Sequence, residues 1–127
     1  MRFRRIKRIS EEILNEPVEI HLSSALEDEI GCIALVNNSL HIFVNSNICK
    51  SEEQVVATVV HEIAHKLSKT KYHDNEYYRN QDKVAEVFSS RMNIPKENLD
   101  KLLSGINVKE ILECSGRYQG VRKYGQR

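Results

Sequence analysis

The chain has 127 residues, 40% of them apolar and 29% charged, with a formal net charge of +1. That length suits one domain with a real core and leaves no room for a separate substrate-binding domain of ordinary size. The near-neutral balance excludes nucleic-acid binding driven by bulk charge, and no apolar run approaches the length of a membrane span.

Residues 2–15 place Ile6, Ile9, Ile13 and Leu14 at helical spacing, with Arg4, Arg5, Lys7, Arg8, Glu11 and Glu12 on the other faces. Pro17 ends this segment. Its basic start resembles the n-region of a signal peptide, but Glu11 and Glu12 stand where the apolar stretch should follow. A cytoplasmic location is therefore expected. The basic cluster Arg2, Arg4, Arg5, Lys7 and Arg8 reads as a solvated face. Cys32, Cys49 and Cys114 are odd in number and lack a CxxC pair, so reduced, buried or half-buried thiols are expected.

Residues 17–45 change to strand character. Val18 to Leu22 alternates apolar and polar, whereas Gly31 to Val36 and Leu40 to Val44 are dominated by apolar and β-branched residues. Asn37-Asn38-Ser39 between the last two is turn chemistry that predicts a hairpin. A small, mostly antiparallel sheet of three strands follows, with His21 and His41 on strands, where a lone histidine is more often structural or exposed than an extra ligand.

Ser51-Glu52-Glu53-Gln54 is a capping box opening a helix that contains Val55, Val56, Val59, Val60, Ile63, Ala64 and Leu67. So much apolar circumference predicts a buried helix. On what remains of its surface lie His61, Glu62 and His65. Two histidines four apart project from one face of a helix and reach one metal ion, and the intervening glutamate suits a general base. Burying these groups is costly unless they are paired or metal-bound, which supports the metal reading independently of the HExxH spacing.

Residues 69–80, KTKYHDNEYYRN, read as a loop or the frayed start of the next helix. Tyr72, Tyr77 and Tyr78 are candidates for lining a cleft or donating to an oxyanion, and His73 is a further candidate residue. From about Gln81 to Met92 the pattern is helical again, with Val84, Val87, Phe88 and Met92 in one stripe. Asp82 and Glu86 share another face. Zinc on two imidazoles needs a further ligand, and these carboxylates can supply it, one binding the metal and the other accepting the N–H of a ligating histidine. Residues 96–127 read as short helices, one ended by Ser104-Gly105, another capped by Asn107 with Glu110 at its third position, then a basic tail.

The run LHIFVNSNICKSEEQVVATVVHEIAHKLS resembles the strand, loop and active-site helix of the ImmA/IrrE metallopeptidases, and DKVAEVFSSRMNIP is similar to that family's later signature. The resemblance spans roughly residues 30–103. It implies a small zincin-like α+β domain, residues 1–127, with the sheet packed on a buried HExxH helix and several further helices. It implies one catalytic Zn2+ on His61, His65 and Asp82, Glu62 as general base, and Glu86 as supporting carboxylate or alternative ligand. Asp82 stands where the family has Glu, Ala64 where it has Gly, and little chain follows Pro95.

The activity implied is zinc-dependent endopeptidase action on a helix-turn-helix repressor, or a similar regulator of a phage, mobile element or stress response. Leu40 to Val44 is the expected edge strand for an extended peptide. The competing expectations are another small HExxH zinc hydrolase, such as a minigluzincin or latent proenzyme, and a non-catalytic metal-binding module holding a regulatory partner.

Overall fold

A computed structural model describes the backbone of residues 1–70 and 72–124 and the side chains of residues 1–70 and 72–112. The elements run α1 (Phe3–Leu14), β1 (Val18–Ser23), β2 (Gly31–Val36), β3 (Ser39–Asn45), α2 (Glu52–Ser68), α3 (Asn75–Met92) and α4 (Lys96–Tyr124). The domain is α+β, with a three-stranded sheet packed against helices.

The strand order is β1-β3-β2, with β2 antiparallel and β1 parallel to β3. The hairpin forms where Asn37-Asn38 foretold it. Both residues have positive φ, 53° and 65°, which a two-residue turn of the I′ type requires and Asn tolerates. The β1–β3 connection returns in parallel because the chain crosses from Ser23 to Gly31 before β2 begins. Leu40 to Val44 therefore lies on the central strand, flanked on both sides, and the expectation of an edge there is corrected. The two edge strands are β1 and β2.

One face of the sheet, with Val18, Ile20, Leu40, Ile42 and Val44, joins α1, α2 and α3 in the core. The opposite face carries His21, His41 and Phe43. There His21 Nε2 lies 2.8 Å from His41 Nδ1, so these two histidines are partners of each other. Cys49 is buried and Cys32 half-buried, both as free thiols; the Cys114 side chain lies outside the described residues.

The N-terminal helix is amphipathic as expected, burying Ile6 and Ile9. Arg2 grips Glu52 at 2.6 Å and ties its start to that of α2. Helix α2 opens with the Ser51/Gln54 capping box. Val55, Val56, Val59, Val60 and Ile63 are all fully buried. The propensity penalty of a β-branched residue is below about 0.7 kcal/mol, whereas burying such a side chain contributes roughly 1.5–3 kcal/mol. Packing decides the conformation.

Two segments depart from the sequence expectation. Helix α3 starts at Asn75, because the Asp74 side chain caps it by accepting from Tyr77 N at 2.9 Å. Helix α4 runs without interruption through Ser104-Gly105. A helical glycine costs about 1 kcal/mol, less than the burial of Leu99, Leu103 and Ile106 on either side of it contributes. The break expected at Gly105 and the separate helices after it are replaced by one helix. Of the expected basic tail, the side chains of residues 117–127 lie outside the described residues.

Candidate metal centre

Helix α2 brings His61 and His65 to one face, with ring centroids 4.6 Å apart. Opposite them stands Glu110 of α4, whose Oε2 lies 3.0 Å from His61 Nε2 and whose Oε1 lies 3.1 Å from His65 Nε2. His73, from the loop between α2 and α3, places Nε2 2.6 Å from the same Oε1. Each of the four residues offers a ligand atom, and those atoms all lie within 4.8 Å of one another.

The chemistry of this set fits a metal ion. His61 Nδ1 lies 2.6 Å from the Tyr77 hydroxyl, which itself donates to Asn107 Oδ1 at 2.9 Å. With its proton committed to Asn107, the Tyr77 oxygen accepts from His61 Nδ1–H. His65 Nδ1 donates to the Thr70 carbonyl at 2.8 Å. Both imidazoles are thus assigned the tautomer with a lone pair on Nε2. Those lone pairs face the Glu110 carboxylate, and acceptors opposed at such distances repel unless a cation lies among them. Ligands about 2.0–2.2 Å from a tetrahedral zinc ion stand roughly 3.3 Å apart, close to the 3.0 and 3.1 Å that separate Glu110 from His61 and His65. The cluster of three histidines and one glutamate can hold a metal ion.

The titration behaviour has the same origin. Burial would raise the Glu110 carboxyl, but when protons rather than a metal ion lie among these groups, bonds from His61, His65 and His73 hold it well below the ordinary carboxylate range. Burial opposes the charge on His65, yet with a proton on Nε2 in place of the metal, the bonds to Glu110 and Thr70 leave its pKa raised. For His73 burial wins and the pKa is lowered despite Glu110. Burial raises the Glu62 carboxyl to about 7, against lowering by the two neighbouring imidazoles. The wall over Glu62 is the start of β2. A Cβ on Gly31 would come 2.6 Å from Thr58 Cγ2, 2.8 Å from the Phe43 carbonyl oxygen and 3.6 Å from Glu62 Oε2. Buried Asn45 fixes this strand start, donating from Nδ2 to the carbonyls of Glu27 and Glu29 and from its backbone N–H to that of Ile30.

Of the residues singled out in the sequence, His61 and His65 come together with Glu62 beside them, and Asp82 does not join them. Helix α3 buries Tyr77, Val84, Ala85, Phe88 and Met92, and Asp82 and Glu86 fall on its exposed opposite side. Asp82 is paired with Lys96 at 2.6 Å. The carboxylate that completes the cluster is Glu110. Tyr77 is buried behind His61 rather than lining a cleft, with burial raising its pKa, while Tyr72 and Tyr78 are exposed. Glu110 and Asn107, read as a capping pair, instead share one α4 face, from which Asn107 also donates to Gln81 Oε1 at 2.7 Å. The signal available was the stripe Leu99, Leu103, Ile106, which Asn107 and Glu110 continue at helical spacing.

No family model and no curated protein matches the chain. Among solved structures, that of the metallopeptidase zymogen abylysin from Pyrococcus abyssi is similar over 84% of this chain and 93% of its own, with a TM-score of 0.57 and 21% identity. Identity at that level speaks to the fold alone, which this chain shares with that zymogen; its own side chains add a cluster of buried His61 with half-buried His65, His73 and Glu110. No described helix is long and apolar enough to cross a membrane.

Proposed function

We propose that this chain is a zinc-dependent endopeptidase with His61, His65 and Glu110 as its metal ligands. The observation that carries the reading is the convergence of these three side chains beside Glu62, on a helix that buries its own general base. Bound there, zinc would supply Lewis acidity towards a peptide carbonyl and acidify a water. Glu62 takes the proton of the attacking water and returns it to the leaving amine. Burial raises this carboxyl to about 7 in the metal-free chain, and a bound cation would draw it back towards the charged form that accepts the water's proton. The Tyr77–Asn107–Gln81 chain orients His61, and the Thr70 carbonyl orients His65. The outer edge of β2, which has no strand partner among the described residues and starts against Glu62, takes an extended peptide by strand addition.

For substrate we propose a helix-turn-helix repressor or similar regulator of a phage, mobile element or stress response, in the cytoplasm. Support comes from the ImmA/IrrE resemblance of Leu40 to Ser68, whereas Asp82 of the later signature pairs with Lys96 away from the cluster. The test uses the chain with the regulator encoded beside it and with an unfolded protein as general substrate. Cleavage stops with chelator and returns with zinc, while Glu62→Gln keeps the metal and loses about 10²–10⁴-fold in rate. A Glu62→Gln variant as active as the parent contradicts the mechanism. Cleavage of the unfolded protein but not of the regulator replaces the substrate and keeps the class. A second reading, a metal-holding module without catalysis, is favoured by one observation: a fourth protein donor, His73, already stands at the cluster.

A further inference from the structure

We infer that His73 is a displaceable fourth ligand that closes the metal position on which a water would sit. This rests on the metal centre of the reading above and gives that centre a means of control. A zinc site that performs hydrolysis keeps one position open, and one with four protein ligands is closed. Here His61, His65 and Glu110 already make a three-ligand catalytic set. His73 Nε2 occupies the remaining side of the cluster, 2.6 Å from Glu110 Oε1, with its side chain only 5% exposed.

What separates His73 from the other two histidines is the far side of its ring. Ligating histidines almost always donate their second N–H to a group that fixes the ring. His61 Nδ1 has Tyr77 and Asn107, and His65 Nδ1 has the Thr70 carbonyl. His73 Nδ1 is buried and finds no hydrogen-bond partner among the described residues. The backbone repeats the contrast. His61 and His65 sit on a helix packed on several sides, whereas His73 lies on the connection between the α2 C-cap Lys69 and the α3 N-cap Asp74. Nothing polar beyond the cluster holds the His73 ring in place among the described residues, so it is the ligand that leaves most easily. Its departure would free one coordination position beside Glu62 and expose Nδ1, which has no partner among the described residues in the closed arrangement. The resting centre is closed, and the competent one has the ring of His73 swung out.

The test reads coordination rather than hydrolysis. Cobalt(II) replaces zinc in the full chain, and the visible spectrum is followed as azide, a small anionic metal ligand, is added in excess. The parent spectrum is expected to stay unmoved. His73→Ala and His73→Leu, the second keeping bulk without a donor atom, are expected to retain about one cobalt per chain and to shift with azide. An azide response in the parent equal to that of the variants overturns the inference, because the position is then already open. Loss of cobalt from both variants also overturns it, because His73 is then a required ligand. Peptide cleavage is scored separately. If no variant cuts any peptide while the azide contrast holds, the peptidase reading fails and the latch stands.

Discussion

Glu110 Oε2 lies 3.0 Å from His61 Nε2 across a sequence separation of 49 residues, and that contact defines the centre. It joins buried helix α2 to α4, and it depends on α4 continuing through Gly105. A helix stopped at Ser104-Gly105 would not carry Glu110 to this place on the same rigid axis. The carboxylate that Asp82 was expected to supply thus comes from a different helix.

Tyr77→Phe removes the hydroxyl that accepts from His61 Nδ1 and donates to Asn107. Asn107 Oδ1, 3.2 Å from the same nitrogen, remains as a weaker acceptor. Zinc affinity is expected to fall about tenfold, the lower end of the range for losing an orienting partner. Competition with a chromophoric chelator measures it, and an unchanged affinity contradicts the role given to Tyr77.

In the chelated protein Glu62 should make stability depend on pH. Its folded pKa is raised from the ordinary 4.5 to about 7, so between these values the folded state holds a proton that the unfolded chain has released. Stability from this group is therefore full below pH 4.5 and lost as pH rises towards 7. Urea midpoints across that window should fall more steeply for the parent than for Glu62→Gln. Zinc should flatten the parent's slope, because a cation beside the carboxyl favours its charged form. Equal slopes for parent and variant contradict the burial assigned to Glu62.

Gly31→Ala should destabilise the domain by about 1–3 kcal/mol, the usual cost of overpacking. The added methyl would meet Thr58 Cγ2 and the Phe43 carbonyl, and neither side can give without moving β2 or α2. Because β2 then lifts from Glu62, peptide cleavage should fall by more than zinc affinity. Thermal or urea unfolding gives the first quantity, and parent-like stability contradicts the packing described.

Where the sequence read well, the information was local. HEIAH, the Ser51 capping box and the Asn37-Asn38 turn each act through neighbours within one helical turn or one hairpin. The sequence also placed β3 among the strands, but strand order is a long-range choice and nothing in Leu40 to Val44 marks it as central. The carboxylate was misassigned for a related reason. Asp82 and Glu86 make an acidic face by spacing, but which side of α3 turns inward is decided by Tyr77, Val84, Ala85, Phe88 and Met92 packing on α2 and its neighbours. In α4 the signals conflicted, since Ser104-Gly105 and Asn107 carry stop-and-cap chemistry. Burial of Leu99, Leu103 and Ile106 overrides them, and the residues that looked like a cap become part of the site. His73 has no spacing signal at all, because a loop of that length can aim its side chain in any direction.

The most direct test of the central claim is the zinc content of Glu110→Gln beside that of Asp82→Asn, measured by elemental analysis on refolded, dialysed protein. The structure predicts about one zinc per chain in the parent and in Asp82→Asn, and a loss of zinc in Glu110→Gln. Retention of zinc by Glu110→Gln together with its loss from Asp82→Asn would contradict the centre described here.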